Sequence, residues 1–457
     1  MSKGKVYLIG AGPGDPGLLT CRAKQLLSEC DVVCYDKLVS AAILSMVPEH
    51  VHLHQVGYRG YQGTHIDYGM HPDVMEYALA GKTVARLKAG DPCIFGRTTE
   101  ECRELNENNI SYEIIPGITA ALGSAAYSGF PLTSGGIASS VTFVSGHQHS
   151  KTIVSWGELG RAGGTLVLYM GAKKLPEHAE NLIANGRRPD TPIALISSAT
   201  SADHNCITAT LETIADRVAN LEQKGPSLVI IGDVVKQSEE FAWRNLLPLT
   251  GVRILVCGQY EETTLLRESG AEVIEINSLP VKSLLDTEDL EFLASQKALS
   301  FSDLPSFNVW WKALLEHNWD IRKFAMPMGS DNRYVRKALK NIGIRAEKLF
   351  ENAMTLTLSE EKAFGDKDRY YLAGRHICKP QGYQIPAVEW ILVEDISVFK
   401  SIKEHHSEAL EGAQLVPLNE EVLEWATANG HLAKDADYPE FVDMSDVISS
   451  QERADVA

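Results

Sequence analysis

Asp91, Arg97 and Glu100 stand close together in VARLKAGDPCIFGRTTEE, residues 84–101. Arg97 and Glu100 are three apart, a spacing that puts both on one side of a helix start. Asp91 lies in the loop before them, after the strand-like run Val84 to Lys88. In open α/β sheets ligands sit at the carboxyl ends of the strands, so these residues mark a place for chemistry on a bound ligand. The same residues also fit a plain tight turn followed by acidic residues that complement a helix dipole. Asp36, at the end of DVVCYD (31–36), stands in the same kind of position, as a site residue or as a cap for the segment after it.

The elements that must position these residues alternate as strand, loop and helix. VYLIGAGPGDPGLLT (6–20) is an apolar strand running into a glycine-rich loop. Asp15 occupies the place where a dinucleotide fingerprint needs its third glycine, which argues against a nicotinamide or flavin site. The glycines still let backbone approach a ligand. A helix is expected from about Thr20 to Glu29 and a long loop over residues 55–71. After Pro116 and Gly117, Thr119 is placed to cap a helix of very small residues, Ala120 to Ser128, suited either to a ligand or to tight packing. From Ser140 a second lobe begins, with strands near 140–145, 165–171, 192–200 and 226–235 and helices near 174–186 and 211–224. His147 and His149 lie two apart after a strand, but no third ligand accompanies them, so no metal site is expected.

At 457 residues the chain suggests two to four compact units. A 44% hydrophobic and 23% charged composition is that of a soluble globular protein. Eight cysteines without a CxxC pair read as free cytosolic thiols. The amino-terminal apolar run is broken at once by Gly10, Gly12 and Pro13, so it does not read as a signal peptide. The longest stretch without Asp, Glu, Lys or Arg, 114–150, is too rich in Gly, Pro and Ser to span a membrane, and a cytoplasmic protein is expected. The net charge of −17 is uneven, with −13 in residues 251–457 and −4 in residues 1–250, which disfavours a nucleic-acid partner for either half.

VYLIGAGPGDPGLLT, DVVCYD, ARLKAGDPCIFGR, PGITAALGSAAYSGFPLT, LYMG and PSLVIIGDVV, in that order, resemble the uroporphyrinogen-III C-methyltransferases of the tetrapyrrole methylase family, over roughly residues 3–245. The resemblance implies an α/β fold of two lobes over residues 1–245, with S-adenosylmethionine as methyl donor, usually in a homodimer. It implies methylation of uroporphyrinogen III at carbons 2 and 7 to precorrin-2, which feeds sirohaem and cobalamin biosynthesis. Carried over by position, the cofactor contacts are Pro13, Ala89, Gly90, Asp91, Ile94, Thr119, Ala120, Met170 and Ala199. Asp36, Arg97 and Glu100 fall near the proton loss that accompanies alkylation of the pyrrole carbon, with Arg97 suited to a bidentate grip on a substrate carboxylate.

Departures from the family pattern are confined to a few places. Tyr58, followed by Arg59, stands where a lysine is usual, and the segment after PLT (131–133) lacks a basic residue. Ala89 and Ala199 replace glycines. These changes leave a non-catalytic tetrapyrrole or S-adenosylmethionine binding protein, or a methylase of a later corrin intermediate, as alternatives. An RNA methylase would need a basic surface. Residues 251–457 alternate strand and helix again and are similar in order and spacing to uroporphyrinogen-III synthase, a divergent α/β domain with a basic cluster at Arg333, Arg336, Lys337 and Lys340.

Overall fold

A computed structural model describes residues 3–57, 61–62, 65–66, 69–146, 155–221, 225–346, 348, 352–377 and 381–431. Tyr58, Arg59, His147 and His149 lie outside the described residues. The chain divides into two compact units. One comprises 1–276, 381–394 and 406–457, and the other 277–380 and 395–405.

The first unit opens with a parallel sheet of five strands in the order β3-β2-β6-β1-β7. These are β1 (Lys5–Gly10), β2 (Val32–Tyr35), β3 (His52–Gln55), β6 (Val84–Lys88) and β7 (Ser111–Ile115). A two-strand hairpin, β4 (Tyr61–Gln62) and β5 (His65–Ile66), lies between β3 and β6 in the chain. The segment expected to be one long loop over 55–71 therefore holds a strand end and this hairpin. Helices α1 (Cys21–Glu29), α2 (Ala41–Leu44), α3 (Pro72–Leu79) and α4 (Thr98–Glu107) connect the strands. Thr20 caps α1 by accepting from Ala23 N at 3.2 Å, which satisfies one of the orphan donors at a helix start.

A second five-stranded sheet, ordered β11-β10-β12-β9-β8, is mixed. Its strands are β8 (Val141–Ser145), β9 (Thr165–Tyr169), β10 (Pro192–Ser197), β11 (Asn205–Thr210) and β12 (Ser227–Ile231). Only β8 and β9 pair in parallel; the other neighbours are antiparallel. Helix α5 (Ala120–Tyr127) lies against this sheet, where Ala121 and Ala125 join Val167, Ala194, Ile196 and Ile230 in one core. The expected helix near 211–224 is only a short turn, Ile214–Val218, and the last strand stops at Ile231, giving way to a tighter 3-10 turn over Asp233–Gln237.

A third sheet in this unit uses Arg253–Cys257, Glu272–Ile276, Trp390–Val393 and Gln414–Pro417, all paired in parallel. It is tied to the second lobe by Arg253, which donates to Asp203 at 2.6 Å and to Glu272 at 3.0 Å. The chain leaves this sheet at residue 277 and returns at 381, so the second half is not one continuous block. The intervening unit has its own four-stranded parallel sheet, built from Leu299–Phe301, Met328–Gly329, Met354–Thr357 and Tyr370–Leu372. Trp310, Phe301, Phe307 and Phe324 dominate its core. No helix among the described residues is long and apolar enough to cross a membrane.

Candidate functional site

The loops at the carboxyl ends of the first sheet are strapped together by backbone. Gly12 N donates to Gly90 O at 3.1 Å, and Gly90 N returns a bond to Gly12 O at 2.8 Å. Gly90 holds φ +71°, a conformation a side chain would resist. Beneath it a Cβ on Gly117 would sit 2.4 Å from Gly90 O, and one on Gly10 would sit 2.6 Å from Gly117 Cα. Three chain segments meet here only because none carries a side chain at the crossing.

Asp91 braces the same junction. Its Oδ2 accepts from Gly117 N at 2.9 Å and its Oδ1 from Cys93 N at 2.8 Å. Asp15, which spoils the dinucleotide fingerprint, instead caps the turn Pro16–Leu18, accepts from the Tyr127 hydroxyl, and has its own N–H bound to Thr200 Oγ1 at 3.1 Å. A Cβ on Gly123 would lie 2.5 Å from Pro13 Cγ, so the Pro13 ring rests on bare backbone of α5. Thr119 is the N-cap residue of α5, but its hydroxyl makes no cap bond. It pairs with the Tyr169 hydroxyl at 2.6 Å, and that hydroxyl also accepts from Ala121 N at 3.1 Å.

These contacts bring Gly90 and Asp91 together with Pro13 and the start of α5 at Thr119 and Ala120. Pro13, Ala89, Gly90, Asp91 and Ile94 come from the first sheet, Thr119 and Ala120 from the start of α5, and Met170 and Ala199 from strand ends of the second sheet. The Phe95 ring lies 5.0 Å from that of Tyr169, joining the loop after β6 to the end of β9. Phe95 and Met170 are 43% and 57% exposed, large apolar side chains left uncovered beside the strapped loops. Strain gathers here too: among the described residues, Phe95, Arg97, Met170, Ser198 and Thr200 all hold positive φ between 46° and 70°. Non-glycine residues in that region cost free energy and cluster where a site over-determines the backbone.

Asp36 follows β2, with its N–H on Leu87 O at 3.0 Å. Its Oδ1 accepts from Arg86 at 2.5 Å. Arg86 also approaches Glu101 at 3.4 Å, and Lys88 donates to both Glu101 oxygens at 2.7 and 2.8 Å. All four are buried, at 7% exposure for Asp36, 1% for Arg86, 4% for Glu101 and 2% for Lys88. Burial pushes the Arg86 guanidinium down, but Asp36 and Glu101 outweigh it and hold its pKa above the ordinary value. For Lys88 burial wins over Glu101, and its pKa is lowered. Arg97 is the N-cap residue of α4 at φ 56°, and Glu100 lies half-buried in the first turn of that helix. The carboxylate that turns into the interior is the neighbouring Glu101.

Sequence reasoning missed Arg86, Lys88, Glu101, Tyr169 and Thr200. A signal for the first two was present: cations inside a strand that a parallel sheet covers on both faces require buried partners. Tyr169 and Thr200 gave no such signal, since their bonds join residues far apart in the chain.

The family model for Tetrapyrrole (Corrin/Porphyrin) Methylases matches residues 5–215. The chain is similar to the siroheme synthase of Acinetobacter baylyi, 45% identical over 242 residues, which are 53% of this chain and 53% of that protein. It is similar to that of Pseudomonas paraeruginosa, 46% identical over 244 residues, covering 53% and 52%. The chain thus spans about half the length of the curated relatives it matches. Among solved structures it is similar to uroporphyrin-III C-methyl transferase from Thermus thermophilus complexed with S-adenyl homocysteine. That likeness is at 35% identity, covering 51% of this chain and 99% of that one, with a TM-score of 0.45.

Proposed function

We propose that the chain carries a tetrapyrrole methylase domain, the family whose model matches residues 5–215, and that it methylates uroporphyrinogen III at carbons 2 and 7, giving precorrin-2 for sirohaem and related cofactors. The observation that carries the reading is the strapped loop junction, where glycine backbone, Asp91 and apolar side chains lie close together at strand ends. The residues present suit S-adenosylmethionine: Gly90 keeps side chains out of the loop junction, Ile94, Phe95, Ala120, Met170 and Ala199 offer apolar surface, and Asp91 supplies negative charge. When bound, that cofactor supplies a methyl group on a cationic sulfur.

The protein's own part is to bind, orient and move a proton. Arg97 grips a substrate carboxylate through its planar fork. Asp36 and Glu100 are the carboxylates assigned to the proton lost from the pyrrole carbon. Asp36 reaches that role through its Oδ2, while Arg86 fixes the orientation of the group through Oδ1. We infer a homodimer in the cytoplasm, and a uroporphyrinogen-III synthase-like role for residues 251–457, which is supported by their two parallel α/β sheets.

The test is anaerobic incubation of the protein with uroporphyrinogen III and S-adenosylmethionine, followed by mass spectrometry of the tetrapyrrole. A gain of two methyl groups is expected. No gain while the cofactor still binds would overturn the proposal in favour of a binding protein. Added hydroxymethylbilane tests the second half separately, through cyclised product.

A further inference from the structure

The third sheet of the first unit is bonded to both lobes that precede it. On the second lobe, Ala202 N donates to Glu272 Oε2 at 2.8 Å, beside the bond from Arg253 to Asp203. The first lobe has two attachments. Glu272–Ile276 is an edge strand, so one side of its backbone lacks a strand partner, and Glu275 N donates to the Ser45 hydroxyl at 3.2 Å, at the end of α2. The Tyr35 hydroxyl donates to Gly382 O, a bond between residues 347 apart in the chain. A Cβ on Gly382 would lie 3.0 Å from that of Leu53 on β3, so backbone from the far half rests against the first sheet with no side chain between them. The segment carrying Gly382 is itself fastened to the third sheet and its neighbours. Gln381 N donates to His406 Nε2 at 3.2 Å, Arg253 to Ala387 O at 2.9 Å, and Val388 N to Ala409 O at 3.0 Å. Tyr383 and Ile385 between these bonds are buried.

We propose that Tyr35 is a positioning residue for Asp36 and that its fixed point is Gly382, so that methyl transfer depends on residues 381–388 of the far half. The role of Asp36 rests on the function proposed above; the attachment that holds it does not. Tyr35, 3% exposed, is the last residue of β2, and Asp36 follows it directly. Successive residues of a strand point to opposite faces, and Asp36 is still on the ladder through its N–H to Leu87 O. Arg86 therefore holds Asp36 Oδ1 from one side while Gly382 holds Tyr35 from the other. Two anchors on opposite faces keep the strand end from rolling about its own axis, the motion that would swing Asp36 Oδ2 away from a substrate. The short helix α2 is held in the same manner. Ser40 donates to Gly14 O at 2.6 Å before its first turn, and Ser45 takes the Glu275 N–H after its last. Residues 36–45 are thus tied at both ends to elements outside them, and the tie at each end includes the third sheet or the glycine-rich loop. A phenol that served only to join two parts of the chain would gain nothing from standing next to Asp36.

The experiment compares the full-length chain with Tyr35→Phe, which removes only the hydroxyl, and with Ser45→Ala, each verified as folded by circular dichroism. Methyl transfer from S-adenosylmethionine to uroporphyrinogen III is timed anaerobically, and amide hydrogen exchange over residues 36–45 is followed by mass spectrometry. Tyr35→Phe is expected to lower kcat about tenfold or more, since a small misplacement of a reacting group costs up to ~100-fold. Both KM values are expected to stay within about twofold, because the hydroxyl touches neither substrate nor cofactor. Exchange over 36–45 is expected to quicken about tenfold in Tyr35→Phe, and by less in Ser45→Ala. A Tyr35→Phe protein with the parental kcat overturns the proposal. So does a lower rate that vanishes once it is corrected for the folded fraction, the mark of a bond that only joins two parts of the chain. Where the parent itself transfers no methyl group, exchange decides. Faster exchange in Tyr35→Phe then upholds the hold on residues 36–45 and condemns only the methyltransferase reading. Unchanged exchange in both variants condemns this proposal whatever the rate of transfer.

Discussion

Two clusters of charge in this molecule use the same residue types to opposite ends. In the first sheet Arg86 and Lys88 are buried, and each cation is matched by Asp36 or Glu101 within 2.5–2.8 Å. In the helix Arg333–Asn341 and the segment after it, Arg336, Lys337, Lys340 and Arg345 face a cavity with no carboxylate in its lining among the described residues. The first cluster has spent its cationic charge internally, on Asp36 and Glu101. The second holds charge available for a ligand. Burial and pairing, rather than residue identity, separate scaffold from binding surface.

The sharpest way to break the comparison is Glu101→Ala. It strands Lys88 in the interior and removes one of the two counter-charges of Arg86. Removing one partner of a buried pair costs about 3–5 kcal/mol, so the unfolding midpoint in urea is expected to fall accordingly. A loss below ~1 kcal/mol would mean that water reaches Lys88 and that the cluster is not truly interior. The companion double variant, Lys88→Met with Glu101→Leu, replaces the pair by apolar groups of similar size. Its expected change is much smaller, near neutral within about 1–2 kcal/mol. A double-mutant cycle that found the two single losses simply additive would refute the pairing.

Much of the first sheet was legible in the sequence because local signals sufficed. Val84–Lys88 and the helix after Thr119 fall where the strand-like run and small residues put them. The strand His52–Gln55 was not, because HLHQ lacks an apolar alternation. It is an edge strand, paired only with β2 and partly exposed, so its residues need not be apolar. At the site, the glycine turn and Asp91 could be read from the chain, yet their actual roles depend on distant partners. Asp91 needs Gly117, Thr119 needs Tyr169, and Asp15 needs Thr200 and Tyr127. For the buried quartet the sequence offered only half the account: Arg86 and Lys88 inside a strand-like run signal buried partners, but Asp36 and Glu101 become those partners only once the sheet order sets β2 and α4 beside β6. The interruption of the third sheet at residues 277–380 was hidden for a similar reason: strand alternation reveals elements but not which sheet each one joins.

His204 offers an intermediate case, an ionisable group that is mostly enclosed but lacks a counter-charge. Its Nδ1 is buried without a hydrogen-bond partner, and Nε2 lies 3.4 Å from Ser128 Oγ. Burial, with help from the Arg244 guanidinium, pushes its pKa down to about 4. The unfolded chain binds this proton at an ordinary value near ~6.5 while the folded chain does not, so stability falls as pH drops from ~6.5 and levels off below ~4. Buried His178, with neither ring nitrogen bonded, is depressed by burial and adds a term of the same sign. His204→Gln is expected to flatten the acid limb of the stability profile by about 1–2 kcal/mol. Urea midpoints at a series of pH values read the effect, and a profile parallel to the parent's would assign the acid loss to other groups.

The smallest expected effect belongs to Lys337→Gln, and its sign is the point. Arg333 and Lys337 are four apart on one helix face, as are Arg336 and Lys340, and Lys337 stands three from Lys340. Like charges at those spacings destabilise a helix by roughly 0.2–0.5 kcal/mol per pair. Neutralising Lys337 relieves two such pairs, so the protein is expected to gain a few tenths of a kcal/mol at low ionic strength. Salt that screens the repulsion should erase the gain. A stabilising substitution would show that the stripe is maintained against the interests of the fold. A destabilising one would mean that Lys337 is engaged within the protein after all, and the contrast with the buried quartet would collapse.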